Sequence, residues 1–132
     1  MSTEDEEPLM ARSCRHIEVT RAGDVFCVRL RRPRMDEADV LELADELMAL
    51  IDQDGCRKMA LSLGPEQLVC LYSVFLAKLV MVRRHLADCG GRLIICEATP
   101  QTQGVFEACR LKEYFDFLPD VAGAAATLGK EE

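Results

Sequence analysis

Apolar and polar residues alternate with a period of two at the start of the foldable sequence. In "HIEVT", Ile17 and Val19 share one face while His16, Glu18 and Thr20 share the other. After the turn "RAGD", the stretch "VFCVRLR" puts Phe26, Val28 and Leu30 on one side, so the two runs predict a β-hairpin. Pro33 in "RRPR" stops the second strand. From Asp36 the period lengthens to that of a helix. Val40, Leu43, Ala44, Leu47, Met48 and Ile51 form one stripe, with Asp36 as cap and Glu37 and Asp39 in the first turn, where the helix dipole favours negative charge. This helix runs to about Gln53, and Asp54-Gly55 ends it. "KMALSL" follows as a short strand, broken by Gly64-Pro65.

The least polar run is "LVCLYSVFLAKLVMV", Leu68 to Val82. It is shorter than the about 20 apolar residues a bilayer requires, and Lys78 interrupts it, so no membrane insertion is expected. It predicts a helix from about Tyr72 to Asp88, closed by "CGG" with glycine in the left-handed cap position. Val74, Phe75, Leu76, Leu79, Val80, Met81 and Val82 make its first three turns apolar nearly all round. One sheet face needs only a stripe, so neighbouring helices or another protein must cover the surplus.

"RLIIC" is apolar in succession, as a strand covered on both faces should be. Thr99 and Pro100 open a further helix with Val105, Phe106, Cys109 and Leu111 on its apolar side. "YFDFL" reads as a short edge strand, and Pro119 opens an alanine-rich helix to about Leu128. The order ββαβαβα(β)α predicts an α/β fold: after the N-terminal hairpin, helices alternate with mostly parallel strands joined by right-handed crossovers. The expected organisation is an acidic disordered tail over 1–13, one domain over 14–129 and a short tail over 130–132.

Composition narrows the function. The chain of 132 residues carries a net charge of -7 and 5% aromatic residues, which speaks against a general nucleic-acid binder. Part of the acidic excess sits in "EDEE", Glu4 to Glu7, and in the closing "KEE". The first fifteen residues lack the apolar core of a secretory signal. Seven cysteines, an odd number without a C-x-x-C pair, fit neither a disulfide framework nor a zinc site and read as small apolar residues in a reducing, cytoplasmic setting. "DEAD" at Asp36 to Asp39 has the letters of a helicase signature, but the phosphate-cradling glycine loop that chemistry requires is missing. His16 and His85 stand apart from any nucleophile and read as solvated side chains, and there is no dinucleotide fingerprint. Neither an enzyme nor a cofactor nor a metal is expected. Arg29, Arg31, Arg32 and Arg34 read as a solvated strand end, or as a contact for an acidic partner.

Ser73 stands where a loop meets the apolar helix. Its hydroxyl can cap the helix, or it can carry a phosphate that places about two negative charges on an apolar contact surface. Lys78 is expected to snorkel from that surface.

Three segments in sequence order carry a resemblance: "KMALSL" leading into "LYSVFLAKLV"; "GGRLIIC" followed by "ATP"; and "LKEYFDFLPDVAGAAATL". From His16 to about Leu128 the chain resembles a STAS domain, the fold of bacterial anti-anti-sigma factors, with a single mixed sheet and about four helices. In that family the loop before the helix reads Asp-Ser-Ser/Thr-Gly. Its first serine is phosphorylated by an anti-sigma kinase of the ATPase type, and the unphosphorylated form binds that kinase and frees a sigma factor. Counted back from Gly90-Gly91, that serine falls on Ser73, with Tyr72 in place of the aspartate and Phe75 in place of the glycine. The resemblance implies a non-catalytic regulatory module docking an anti-sigma factor or serine kinase through Tyr72, Ser73, Val74, Phe75 and Lys78. The alternative is a constitutive STAS scaffold subunit of a sensory or transport-associated complex, without a phospho-switch. Self-association stays open.

Overall fold

The structure, a computed structural model, describes residues 14–130. The expected tail over 1–13 and the last two residues lie outside them. Among the described residues, five strands and four helices follow in the order expected: β1 Ile17–Ala22, β2 Val25–Leu30, α1 Glu37–Asp52, β3 Lys58–Ser62, α2 Tyr72–Asp88, β4 Arg92–Cys96, α3 Pro100–Ala108, β5 Asp116–Leu118 and α4 Val121–Gly129. One mixed sheet has the order β1-β2-β3-β4-β5. The hairpin pairs antiparallel, Ile17 opposite Leu30, and each later neighbour is parallel.

The pleat sorts the strand side chains into two cores. Ile17, Val19, Phe26, Val28, Met59, Leu61, Leu93 and Ile95 face the larger one, together with the apolar sides of α1, α2 and α3. Val25, Ala60, Ile94 and Cys96 face the smaller one, closed by Ala124 and Leu128 of α4. The continuous apolar run of β4 thus reflects a strand covered on both sides, as read from the sequence, and β3 is covered in the same way. At the hairpin edge Glu18 and Thr20 are exposed, and polar residues there discourage pairing with another chain.

Local chemistry explains the boundaries. The letters "DEAD" form a capping box: Asp39 N–H donates to Asp36 Oδ1 at 2.8 Å, and Asp36 N–H donates to Asp39 Oδ2 at 3.0 Å. Helix α2 ends in a Schellman motif. Gly90 sits at φ +83°, Gly91 N–H donates to the Leu86 carbonyl at 2.8 Å and Gly90 N–H to that of Ala87 at 2.9 Å. A Cβ on Gly91 would meet Leu86 Cδ1 at 2.5 Å, so the double glycine serves both the turn and the packing.

Several expectations are corrected. Helix α4 opens at Asp120 rather than at Pro119: Asp120 is the N-cap, its carboxylate accepting from Gly123 N–H at 2.7 Å. Cys109 does not face the core: it is the exposed C-terminal cap of α3, because the helix turns away one residue earlier. Neither histidine is simply solvated. His16 Nε2 lies 2.8 Å from Glu42 Oε1, and His85 Nε2 lies 2.6 Å from Asp52 Oδ1. Most of the apolar surplus on α2 is buried within the domain: Phe75, Leu76, Leu79, Val82 and Leu86 are in the core and Val74 and Val80 pack against it. Met81 stays 49% exposed.

Candidate functional site

The loop from Leu63 to Leu71 leaves the C-terminal end of β3 and delivers the chain to α2. Its first part is held rigidly. Ser62 is fully buried, and its hydroxyl hydrogen-bonds the Glu97 carboxylate and the Gly64 carbonyl. Arg29 Nη1 pairs with the same Glu97 at 2.9 Å. Residues just at or past the ends of β2, β3 and β4 are thereby tied together. Gly64 lies against the Glu97 carbonyl, leaving no room for a Cβ.

A second polar cluster holds the rest of the loop. Gln67 Nε2 donates to Thr102 Oγ1 and to Tyr72 Oη, each at 3.1 Å, and Thr99 hydrogen-bonds the Gln67 side-chain carbonyl. Tyr72 Oη donates to the Leu68 carbonyl at 2.7 Å. Thr102 is fully buried. On the other side, Val69 pairs with the segment after β2: Val69 N–H donates to the Pro33 carbonyl at 2.7 Å and Met35 N–H to the Val69 carbonyl at 2.9 Å. Between these fixtures Val69 and Leu71 point outward, 42% and 53% exposed.

The N-cap of α2 is Leu71, whose side chain can make no capping bond. The expectation that Ser73 caps the helix is therefore corrected. Ser73 is the second helical residue and is exposed. A polar cap is worth about 1 kcal/mol, and this chain forgoes it while exposing a leucine. Tyr72 is half-buried and committed to the loop network. Phe75 is only 2% exposed and offers a partner no surface, because its ring fills the core below α2, edge-on to Tyr72 at 6.3 Å. Val74 and Lys78 are half-buried, and Lys78 lines a shallow hollow between α1 and α2 with Val40, Leu43 and Ala44. That placement agrees with a stem laid over apolar surface. The expected residues thus form two groups: Ser73 exposed with Val74 and Lys78 partly so, and Tyr72 and Phe75 turned to support.

Elsewhere, chemistry is sparse. Burial pushes the thiols of Cys56 and Cys96 up to about 12 and that of Cys70 to about 11, which suits packing rather than nucleophilic attack. His16, Asp39 and Glu42 bring potential metal-ligand atoms within 4.8 Å of one another. They are already engaged, Asp39 in the capping box and Glu42 with His16 and Arg15. The hydrogen bond from His16, followed by the charge of Arg15, lowers the pKa of Glu42.

No protein-family model matches the chain, and no curated protein matches it. Solved structures do. An anti-sigma-factor antagonist (STAS) domain protein from Planctomyces limnophilus superposes with a TM-score of 0.74 at 20% identity, over 86% of this chain and 98% of that one. The chain has the STAS fold. TM1081 from Thermotoga maritima matches this STAS fold with a TM-score of 0.71 at 14% identity, over 86% of this chain and 95% of that one. The Bacillus anti-sigma factor antagonist SpoIIAA matches in its unphosphorylated form with a TM-score of 0.65 at 15% identity, over 88% and 99% of the two chains, and its phosphorylated form matches too.

The sequence did not reveal Val69 and Leu71 as surface residues, since both look like continuations of the apolar run. Their exposure comes from the Gln67–Tyr72–Thr102 cluster, whose members lie up to 35 residues apart. Thr102, three residues after the cap Thr99, was the one local hint.

Proposed function

We propose that this STAS domain is a regulatory protein-binding module of the anti-sigma factor antagonist kind. It docks an anti-sigma factor or an ATPase-type serine kinase through the entrance of α2, with phosphorylation of Ser73 as the switch. The observation that carries this reading is the exposed Leu71 at an uncapped helix start, next to Val69 and the exposed Ser73. An apolar side chain kept outside where a polar one would stabilise the helix fits a contact surface. A phosphate on Ser73 would be compatible with the helix N-terminus yet hostile to an apolar contact. The solved structures of SpoIIAA in unphosphorylated and phosphorylated forms lend the reading support.

One observation favours the constitutive scaffold as second reading. Tyr72 and Phe75, where the family resemblance expects aspartate and glycine, stiffen the helix start through a hydrogen bond and core packing. The two readings separate in an affinity capture from the native host with wild-type, Ser73→Ala and Ser73→Asp baits. The switch predicts an ATPase-type kinase on the first two baits and not on the third. The same partners on all three, with no kinase among them, would leave the scaffold.

A further inference from the structure

We propose that the cleft between the segment Arg31–Met35 and the start of α1 is a binding site for a small phosphomonoester, gripped by Arg15, Arg32 and Arg34. The proposal goes beyond the docking role and does not depend on it. The cleft has a volume of about 290 Å3 and is lined by Arg15, His16, Arg32, Arg34, Met35 and Asp39. Three arginines from two separate segments therefore line one hollow, in a chain whose net charge is -7. Guanidinium forks match phosphate oxygens and bind them in pairs.

The neighbouring charges sharpen this reading. Arg29 and Arg31 already have carboxylate partners, Glu97 at 2.9 Å and Glu18 at 3.3 Å. The side chains of Arg32 and Arg34 have no ionic or hydrogen-bonding partner among the described residues. The acids near the cleft are occupied as well: Asp39 Oδ2 accepts from Asp36 N–H, and Glu42 Oε1 holds His16 at 2.8 Å and Arg15 at 3.3 Å. Arg15 is 73% exposed in its side chain and free to turn from Glu42 to an incoming anion.

The cleft is larger than inorganic phosphate requires. Met35 lines it with the little surface it exposes, and Asp39, whose Oδ2 alone is taken by the capping box, can accept a hydrogen bond from a ligand hydroxyl. A phosphorylated, hydroxyl-bearing small molecule uses all of these groups. The backbone bonds of Pro33 and Met35 to Val69 would transmit occupancy to the loop before α2.

The test titrates the full chain with ribose 5-phosphate and, separately, inorganic phosphate at constant ionic strength, read by calorimetry and amide chemical shifts. Saturable one-site binding is expected, with shifts at His16, Arg32, Arg34, Met35 and Val69. Arg32→Ala and Arg34→Ala should each weaken it about tenfold or more, as loss of a charge-assisted hydrogen bond does. Arg34→Lys, which keeps the charge and loses the fork, should also weaken it. Arg110→Ala, which removes the same charge far along the sequence on an exposed turn, should leave it within about twofold. No saturable binding up to about 10 mM ligand, a free energy too small for a built site, would overturn the proposal. So would equal weakening by Arg110→Ala, the mark of diffuse attraction. Ribose 5-phosphate binding no tighter than inorganic phosphate would overturn the assignment to an ester. Leu71 and Ser73 lie outside the cleft lining, so failure here and failure of the docking reading are distinguishable.

Discussion

Replacing Phe75 with alanine separates support from docking at the α2 entrance. Phe75 is 2% exposed and belongs to the same buried cluster as Val40, Leu43, Leu47, Leu79 and Val82, with which it lines the hollow between α1 and α2. An aromatic side chain buries about 150–250 Å2, which at about 25 cal/mol per Å2 amounts to about 4–6 kcal/mol as an upper bound. Mutational experience for Phe→Ala in cores gives about 3–5 kcal/mol, and the edge-on contact with Tyr72 lies within that figure. Domains of this size have about 5–15 kcal/mol in total, so the variant should lose about a fifth or more of its stability. At about 4 °C per kcal/mol the melting temperature should fall by about 12–20 °C. Urea unfolding followed by circular dichroism, with an unchanged m-value, is the assay. Phe75→Leu should lose less, about 1–2 kcal/mol. A loss below about 1 kcal/mol for Phe75→Ala would refute the core assignment and return Phe75 to the contact surface.

Three further outcomes follow from named contacts. Arg110 sits at φ +61° just past α3, and Arg110→Gly should stabilise the protein by about 0.5–1 kcal/mol: relief of the left-handed strain outweighs glycine's entropy. At pH 8, an alkylating reagent should modify the exposed Cys89 and Cys109 first; Cys56 and Cys96, whose thiols sit near 12 and are about one part in ten thousand ionised, should react only on unfolding. Asp24 and Glu42 have folded-state pKa values below their ordinary 3.8 and 4.5, Asp24 chiefly through its hydrogen bond with Lys58. Their contribution is present above those ordinary values and disappears as pH falls through the lowered ones, so Glu42→Gln should flatten the acid limb of urea midpoint against pH. An unchanged limb would contradict that pairing.

Much of the fold was legible because its signals are local. The period-two runs around Ile17 and Phe26, the stripe from Val40 to Ile51 and the glycines at 90 and 91 each report on a few consecutive residues. The site was harder. Ser73 read as a cap because serine at a loop–helix junction usually is one, but the loop network sets the helix start at Tyr72 and leaves Leu71 in the capping place. The pairings of Glu97 with Arg29 and of His16 with Glu42 join residues 68 and 26 positions apart, and nothing local in the sequence announces them. Cys109 failed for a related reason: helical spacing puts it on the apolar side, but the helix ends at Ala108.

The most direct test of the docking surface compares Leu71→Asp with the wild type in two measurements on the same samples: affinity for the captured kinase, and stability to urea. An aspartate at an uncapped helix start should raise stability by about 1 kcal/mol. If the α2 entrance is the contact, affinity should nevertheless fall at least about tenfold, and Ser73→Asp should behave alike. A stabilised Leu71→Asp variant that binds the kinase as tightly as the wild type would contradict the account.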